Sequence, residues 1–347
     1  MVMKRRRTDL IIVTHNSEEY IENCLASVEK AKDSFSKVII LDNASSDGTL
    51  DTLNLYEGKF LIVRSKDNLG YAKGVNKAVD LSRSEYVVIL NPDTTVTKNF
   101  ANLLISELNK DKSVAAAQPS VFILRDKKRI NLTGKITHYL GFDWIRGYKE
   151  KVLPKKGEIV SFSGSAVAVR KSVFEELGGY DEFYFMYYED SDLSWRMQLM
   201  GYKILFVPSS KVYHDYKYKP KEAYQPLKKK LYYAERNRLV TLFKNYSGKT
   251  LVLLSPAIFL IEAMMVIFSI INGWFIQKIK GYADIFTNRS LIKRQRVKIQ
   301  GERKQGDRQI FGKFARTLSF SHFQIAPVRF IVNPFLFSYY RLIKPFI

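Results

Sequence analysis

The chain has a single cysteine, Cys24, among its 347 residues. An intrachain disulfide is excluded, and nothing calls for an oxidising compartment. Acidic residues are scarce beside basic ones, 34 Asp and Glu against 56 Lys and Arg, for a formal charge of +22. Such a surplus demands a polyanionic neighbour, with nucleic acid, anionic lipid and phosphorylated substrates as candidates. No repeat of fixed period occurs, which argues against solenoids and propellers. No helix-turn-helix, RNP-like or zinc-finger pattern occurs either, so no nucleic-acid partner is expected. Gly70 and Gly74 do not make a GxGxxG, so a dinucleotide fold is not indicated. The basic opening Lys4-Arg5-Arg6-Arg7 resembles the start of a signal peptide, but the apolar run after it spans only residues 10–13. That is too short for a signal's hydrophobic region and reads as a strand, with the arginines on the surface.

What is present is a core-forming chain, 46% apolar. Short Val/Ile/Leu runs at 10–13, 38–41, 60–63 and 86–90 suit strands buried on both faces. Between the first two, Tyr20, Ile21, Cys24, Leu25 and Val28 recur at helical spacing, with Asn16 as a plausible N-cap. Asp47-Gly48-Thr49 opens a second helix, and residues 70–81 read as a third. This alternation predicts an α/β fold, Rossmann-like, with a mostly parallel sheet and helices on both faces. Further strands are expected at 114–122, 160–170 (interrupted by Gly164), 203–207 and 211–214. Helices are expected at 171–177, 189–200 and 224–246, with loops or a hairpin at 123–160.

Such sheets bind ligands outside the carboxyl ends of their strands. Polar groups collect there: Thr14-His15-Asn16 after the first strand, Asp42-Asn43 after the second and Asn91-Pro92-Asp93 after the fourth. Together with Asn68-Leu69-Gly70-Tyr71-Ala72-Lys73-Gly74-Val75-Asn76, these segments resemble the opening motifs of family 2 glycosyltransferases. Asn91-Pro92-Asp93 is similar to that family's DxD position, and Glu189-Asp190-Ser191-Asp192-Leu193-Ser194-Trp195-Arg196 to the later acidic motif of its rhamnosyltransferase-like members. The resemblance runs in order over residues 8–215. It implies the GT-A fold, a nucleotide-sugar donor and inversion at the anomeric centre.

Each candidate has a plainer alternative. The resemblance places Asp42 on a uracil or thymine N–H; Asp42 also suits the start of an Asx-turn. Thr14, Asn16 and Asn43 flank the same pocket. Asn68, Gly70, Lys73 and Asn76 are candidates for nucleotide contact, although Lys73 also suits a solvated helix face. Asp93 supplies oxygen to a divalent cation, Mg²⁺ or Mn²⁺, that neutralises the departing diphosphate. Asn91 stands where the first DxD acid would be, which leaves a thin metal site, or an ordinary turn. His214 is the second metal candidate, better suited to Mn²⁺ than to Mg²⁺. Asp190 is the expected general base; Glu189 and Asp192 share its motif, and any of the three acids also suits a first-turn helix position. Gly164 allows close approach of a sugar, or marks a bulge.

After residue 245 the character changes. Residues 251–276 are almost continuously apolar, long enough to span a bilayer. Both flanks are basic, and residues 278–316 hold twelve Lys/Arg against three Asp/Glu. The positive-inside rule therefore favours a re-entrant or in-plane hairpin bent near Pro256 or Gly273; a spanning helix and a buried soluble helix remain alternatives. The chain divides on this reading into a GT-A domain at 1–245, a membrane-inserting helix or hairpin at 246–280 and a basic, amphipathic, membrane-associated region at 281–347. The expected function is transfer from a UDP- or dTDP-sugar, with dTDP-rhamnose suggested by the motif, to a lipid-linked or glycan acceptor at an anionic membrane surface. The catalytic domain is expected to face the cytoplasm. An inactive nucleotide- or glycan-binding relative and a nucleotidyltransferase are the alternatives; oligomeric state is not legible.

Overall fold

The computed structural model describes residues 8–215, 224–319 and 326–347. The basic opening before residue 8 lies outside them, as does the start of the final aromatic segment at 320–325. The chain forms two compact units. The first comprises Met1–Lys135, Ile145–Met197 and Tyr202–Lys217; the second comprises Ile136–Trp144, Gln198–Gly201 and Tyr218–Ile347. The division thus falls near residue 217 rather than 245, and the long basic helix belongs with the C-terminal unit.

The first half runs β1 (Thr8–Thr14), α1 (Glu18–Ala31), β2 (Lys37–Asp42), α2 (Thr49–Asn54), β3 (Leu61–Arg64), α3 (Gly70–Asp80), β4 (Tyr86–Leu90) and β5 (Thr94–Val96). It continues with α4 (Phe100–Lys110), β6 (Val114–Ile123), β7 (Asp126–Leu132), β8 (Lys135–Thr137), β9 (Asp143–Ile145), β10 (Gly157–Glu158) and β11 (Ala166–Arg170). Then come α5 (Lys171–Glu176), α6 (Glu189–Leu199) and β12 (Lys203–His214). The C-terminal helices are α7 (Tyr224–Asn245), α8 (Gly248–Ile271), α9 (Phe275–Thr287), α10 (Arg289–Glu302), α11 (Asp307–Phe311) and α12 (Asn333–Ile343).

The main sheet has the order β10-β12-β6-β11-β4-β1-β2-β3. The block β4-β1-β2-β3 is parallel throughout. β11 inserts antiparallel between β4 and β6, and β12 then runs parallel to β6. The sheet is therefore mixed, with its parallel part where the βα alternation is clearest. Alternate residues of each strand enter opposite cores. Leu10, Ile12, Ile40 and Val88 pack with Cys24, Leu25 and Val28 of α1 and Phe100 and Leu104 of α4. Ile11, Ile39, Val87 and Ile89 pack with Val75 and Val79 of α3, Phe174 of α5 and Leu193 of α6. Helices thus cover both faces.

Several local expectations change. Ser17, not Asn16, precedes α1, because Asn16 adopts φ +49 and turns its side chain to Ser46 N at 2.8 Å. Only the second half of 160–170 is strand. The two late strands are one, β12, with a register shift between Val207 and Lys211. α4 was not anticipated, although Phe100, Ala101, Leu104 and Leu108 have helical spacing and are its buried residues.

In the second unit, Tyr139, Tyr246, Phe311 and Tyr340 form an aromatic core, with Phe311 and Tyr340 stacked at 4.7 Å between ring centres. A buried charge cluster joins three helices there. Lys278 of α9 donates to Glu235 of α7 at 2.6 Å and to Glu262 of α8 at 2.7 Å, and Arg238 of α7 pairs with both acids.

Candidate active site

The parallel register aligns the polar strand ends. Thr14 lies beside Asp42, and Ile12 beside Leu90, so Thr14, Asp42 and the Asn91-Pro92-Asp93 turn share one rim across β2, β1 and β4. Three buried acceptors on this rim have no partner in the folded chain: Thr14 Oγ1, Asp42 Oδ1 and Asp93 Oδ1. An unsatisfied buried oxygen costs roughly 1–3 kcal/mol, so three on one rim mark a place where a ligand completes the hydrogen bonding. Asp42 Oδ2 accepts from Ser45 N at 3.1 Å, which fixes the carboxylate and leaves Oδ1 available.

Other candidates have partners within the chain. Asn43 Nδ2 donates to Asn68 Oδ1 at 3.0 Å and to Gly70 O at 3.1 Å, and Asn43 Oδ1 accepts from Leu69 N at 2.8 Å. Asn43 and Asn68 therefore tie the end of β2 to the start of α3 rather than facing open space. Asn76 brackets Tyr180, donating to its carbonyl at 2.8 Å and accepting from its N–H at 2.9 Å. Lys73 pairs with Glu182 at 3.6 Å on a half-exposed surface. Gly70 sits at φ +77, and a Cβ there would come within 2.5 Å of the Phe185 ring. The start of α3 is occupied as well, since Ala72 N donates to Phe185 O at 3.1 Å.

The two metal candidates meet. His214 Nε2 lies 3.0 Å from Asp93 Oδ2, and its Nδ1 lies 3.0 Å from Asn131 Oδ1. Asn131, from β7, orients the imidazole in the manner of an outer-shell partner. Among the described residues no group of three or more His, Cys, Asp or Glu side chains gathers as a metal cage. The unpartnered Asp93 Oδ1 and the neighbouring imidazole nevertheless fit an open site for a hard or borderline cation that takes its remaining ligands from a bound phosphate.

The acidic motif separates into distinct environments. Asp190 Oδ1 accepts from Lys135 Nζ at 2.5 Å and from Ser191 N at 2.8 Å, while Oδ2 accepts from Gly164 N at 3.0 Å. Gly164 thus serves through its backbone. Glu189 is 6% exposed, and its Oε2 has no partner. Burial, and then the charge of Asp190, push its carboxyl up to about 8, with Lys135 opposing. Asp192 is fully buried and engaged on both oxygens, by Arg196 Nε at 2.7 Å and by Tyr184 OH at 3.1 Å. Those two partners enclose its carboxylate.

Tyr71 links the two halves of the site. Its hydroxyl lies 2.8 Å from Asn91 Oδ1 and 3.1 Å from Gly164 O. Burial, then the charges of Glu189, Asp190 and Asp93, raise its pKa well above the usual phenol value, so all three carboxyl groups act on one hydroxyl. Neither Tyr71 nor Lys135 is among the residues expected from the sequence. Tyr71 stands inside a recognised motif, which is a signal; Lys135 lies in an irregular stretch with none.

Glu189 makes a pH-dependent contribution to stability. Its folded-state pKa is about 8, above the ordinary 4.5. Between these values the unfolded chain has released a proton that the folded chain keeps, so stability falls as pH rises through this window. Melting temperature against pH should show that decline in the wild type and a flatter profile for Glu189→Gln. Parallel profiles would mean that Glu189 titrates normally.

The family model described as glycosyl transferase family 2 matches residues 9–178. The chain is similar to the N-acetylglucosaminyl-diphospho-decaprenol L-rhamnosyltransferase of Mycobacterium tuberculosis, 28% identical over 229 residues, covering 59% of this chain and 75% of that protein. It is also similar to the O-antigen chain rhamnosyltransferase WbaN of Salmonella anatum, 28% identical over 218 residues, covering 62% and 68% respectively. Among solved structures, GalNAc-T7 with UDP, GalNAc and Mn²⁺ matches with a TM-score of 0.57 at 16% identity, covering 71% of this chain and 49% of that one. This chain spans about half of that structure, and the likeness shows the fold, which is GT-A.

Proposed function

We propose that this chain, a glycosyltransferase carrying a family 2 domain over residues 9–178, moves a sugar from a UDP- or dTDP-linked donor to a membrane-associated acceptor with inversion. The observation that carries this reading is the rim of unpartnered acceptors, Thr14 Oγ1, Asp42 Oδ1 and Asp93 Oδ1, beside which Tyr71 OH bonds Asn91 Oδ1 and the carbonyl of Gly164, the residue whose N–H donates to Asp190. Asp42 Oδ1 accepts the imide N–H of uracil or thymine. Asp93 and His214 would hold a divalent cation, which supplies Lewis-acid neutralisation of the diphosphate.

Asp190 acts as the base. Lys135 Nζ and the N–H groups of Ser191 and Gly164 donate to its carboxylate and fix its position, whereas burial keeps Glu189 protonated to about pH 8. Opposite environments for adjacent carboxyls are the usual sign of divided roles. The acceptor hydroxyl gives its proton to Asp190, and its oxygen forms the new bond to the anomeric carbon. The bond from that carbon to the diphosphate breaks, and its electron pair leaves with the nucleoside diphosphate. Attack opposite the leaving group inverts the centre. The relatives' names support a rhamnosyl donor, and the decaprenol-linked acceptor named for one of them supports a lipid-linked acceptor here. On this reading the catalytic unit works at the cytoplasmic face of a membrane.

Base recognition has a direct check. Titration calorimetry should show UDP or dTDP binding more tightly than GDP or ADP. Asp42→Ala should lose about 10- to 100-fold of that affinity, as expected for one hydrogen bond to a charged group. Equal binding of purine and pyrimidine nucleotides would rule out the assigned role of Asp42.

A further inference from the structure

The helix α8 has 24 mostly apolar residues, long enough to cross a membrane. The second unit as built resists that placement. α8 is two-sided: Thr250, Leu254, Ala257 and Ile261 are buried, whereas Val252, Phe259, Met264 and Ile267 are exposed. Glu262 lies near its midpoint and is bound there by Lys278 at 2.7 Å, Tyr282 at 2.6 Å and Arg238. If α8 crossed a bilayer, those partners on α7 and α9 would be drawn to the same depth. Lys280, two residues beyond Lys278, is exposed and would enter the hydrocarbon, where each unpaired charge costs at least roughly 2.5–3.5 kcal/mol.

The exposed apolar face does not stop with α8. It is met again on α9 at Phe275, Ile276 and Ile279, and in the last helices at Phe330, Ile331 and Phe335. Cations accompany it. The guanidinium of Arg329 lies over the Phe330 ring at 5.2 Å and that of Arg341 over Phe337 at 5.9 Å, so positive charge sits among these aromatic side chains. α10 presents Arg289, Lys293, Arg294 and Lys298 to solvent. Aromatic and aliphatic faces interleaved with Lys and Arg characterise helices that lie in the plane of an anionic interface.

We infer that the C-terminal unit is a monotopic docking surface, with α8, α9 and α12 lying in one leaflet of an anionic bilayer and no segment of α8 crossing it. The inference stands apart from the catalytic assignment. Two measurements on the full-length protein test it. In flotation, the wild type should rise with phosphatidylcholine vesicles containing phosphatidylglycerol, less so with phosphatidylcholine alone or at high salt. Phe259→Glu combined with Ile267→Glu, both at exposed positions, should bind at least tenfold more weakly, with an unchanged melting temperature and unchanged affinity for free UDP or dTDP. In membranes, single cysteines placed by Lys249→Cys and Asn272→Cys, at the two ends of α8, should react with an impermeant maleimide from the same side; the natural Cys24 is buried and silent. Reaction from opposite sides would establish a spanning helix and overturn the inference. So would a wild type that fails to float, for instance because a second copy of the chain covers the face, or a double variant that floats as well as the wild type.

Discussion

Asp190→Asn should lower the transfer rate by about 10²–10⁴-fold, the usual contribution of a general base, while leaving nucleotide binding nearly intact. The isosteric amide keeps an oxygen for the Gly164 N–H but turns its NH2 toward Lys135 Nζ and Ser191 N, so the charge that receives the acceptor proton is lost together with the Lys135 ion pair. Glu189→Gln should behave differently. Its carboxyl is neutral below about pH 8, so the amide imitates its resting state and should leave most of the rate at pH 7. It should also remove any change in the rate profile near pH 8. A pH–rate series on both variants separates the roles: equal losses at pH 7 would show that the two carboxyls work as one titrating unit.

Asp192→Ala should act on stability instead. The substitution leaves the buried Arg196 guanidinium without its carboxylate, a loss of about 3–5 kcal/mol for a buried pair. Arg196 also donates to the carbonyls of Leu177 at 2.6 Å and Gly179 at 2.8 Å, so it anchors the turn that follows α5. At roughly 2–4 °C per kcal/mol for a domain of this size, the melting temperature should fall by about 6–20 °C. Adding Arg196→Met should recover only part of the loss, because the two carbonyls stay unpaired. Full stability in Asp192→Ala would mean that the pair is not buried in solution.

The contrast between Asp190 and Asp192 shows where sequence reasoning ends. Three acids in the first turn of α6 look alike as letters. Helical geometry turns them to different sides, one toward Lys135 and Gly164 and another toward Arg196 and Tyr184. The parallel strands and their polar ends were legible because period and burial are local properties. The meeting of Asp93 with His214 followed from motif order, although 121 residues separate them. The antiparallel insertion of β11 was not legible, since pairing partners are set by packing across the whole unit. Lys135 was hidden for the same reason: its contact with Asp190 spans 55 residues from a stretch without periodicity. The partners of Asn43, Asn68 and Asn76 lie 25 to 104 residues away or across a loop, so their contacts were not legible either.

The central claim is the bond that breaks. Purified protein should be incubated with a panel of UDP-, dTDP- and GDP-sugars, Mn²⁺ or Mg²⁺ and a membrane lipid extract, and the released nucleotide identified. A nucleoside diphosphate, UDP or dTDP, should be released from one donor, with release lost in Asp190→Asn. Pyrophosphate release from a nucleoside triphosphate, with no diphosphate from any sugar donor, would contradict it.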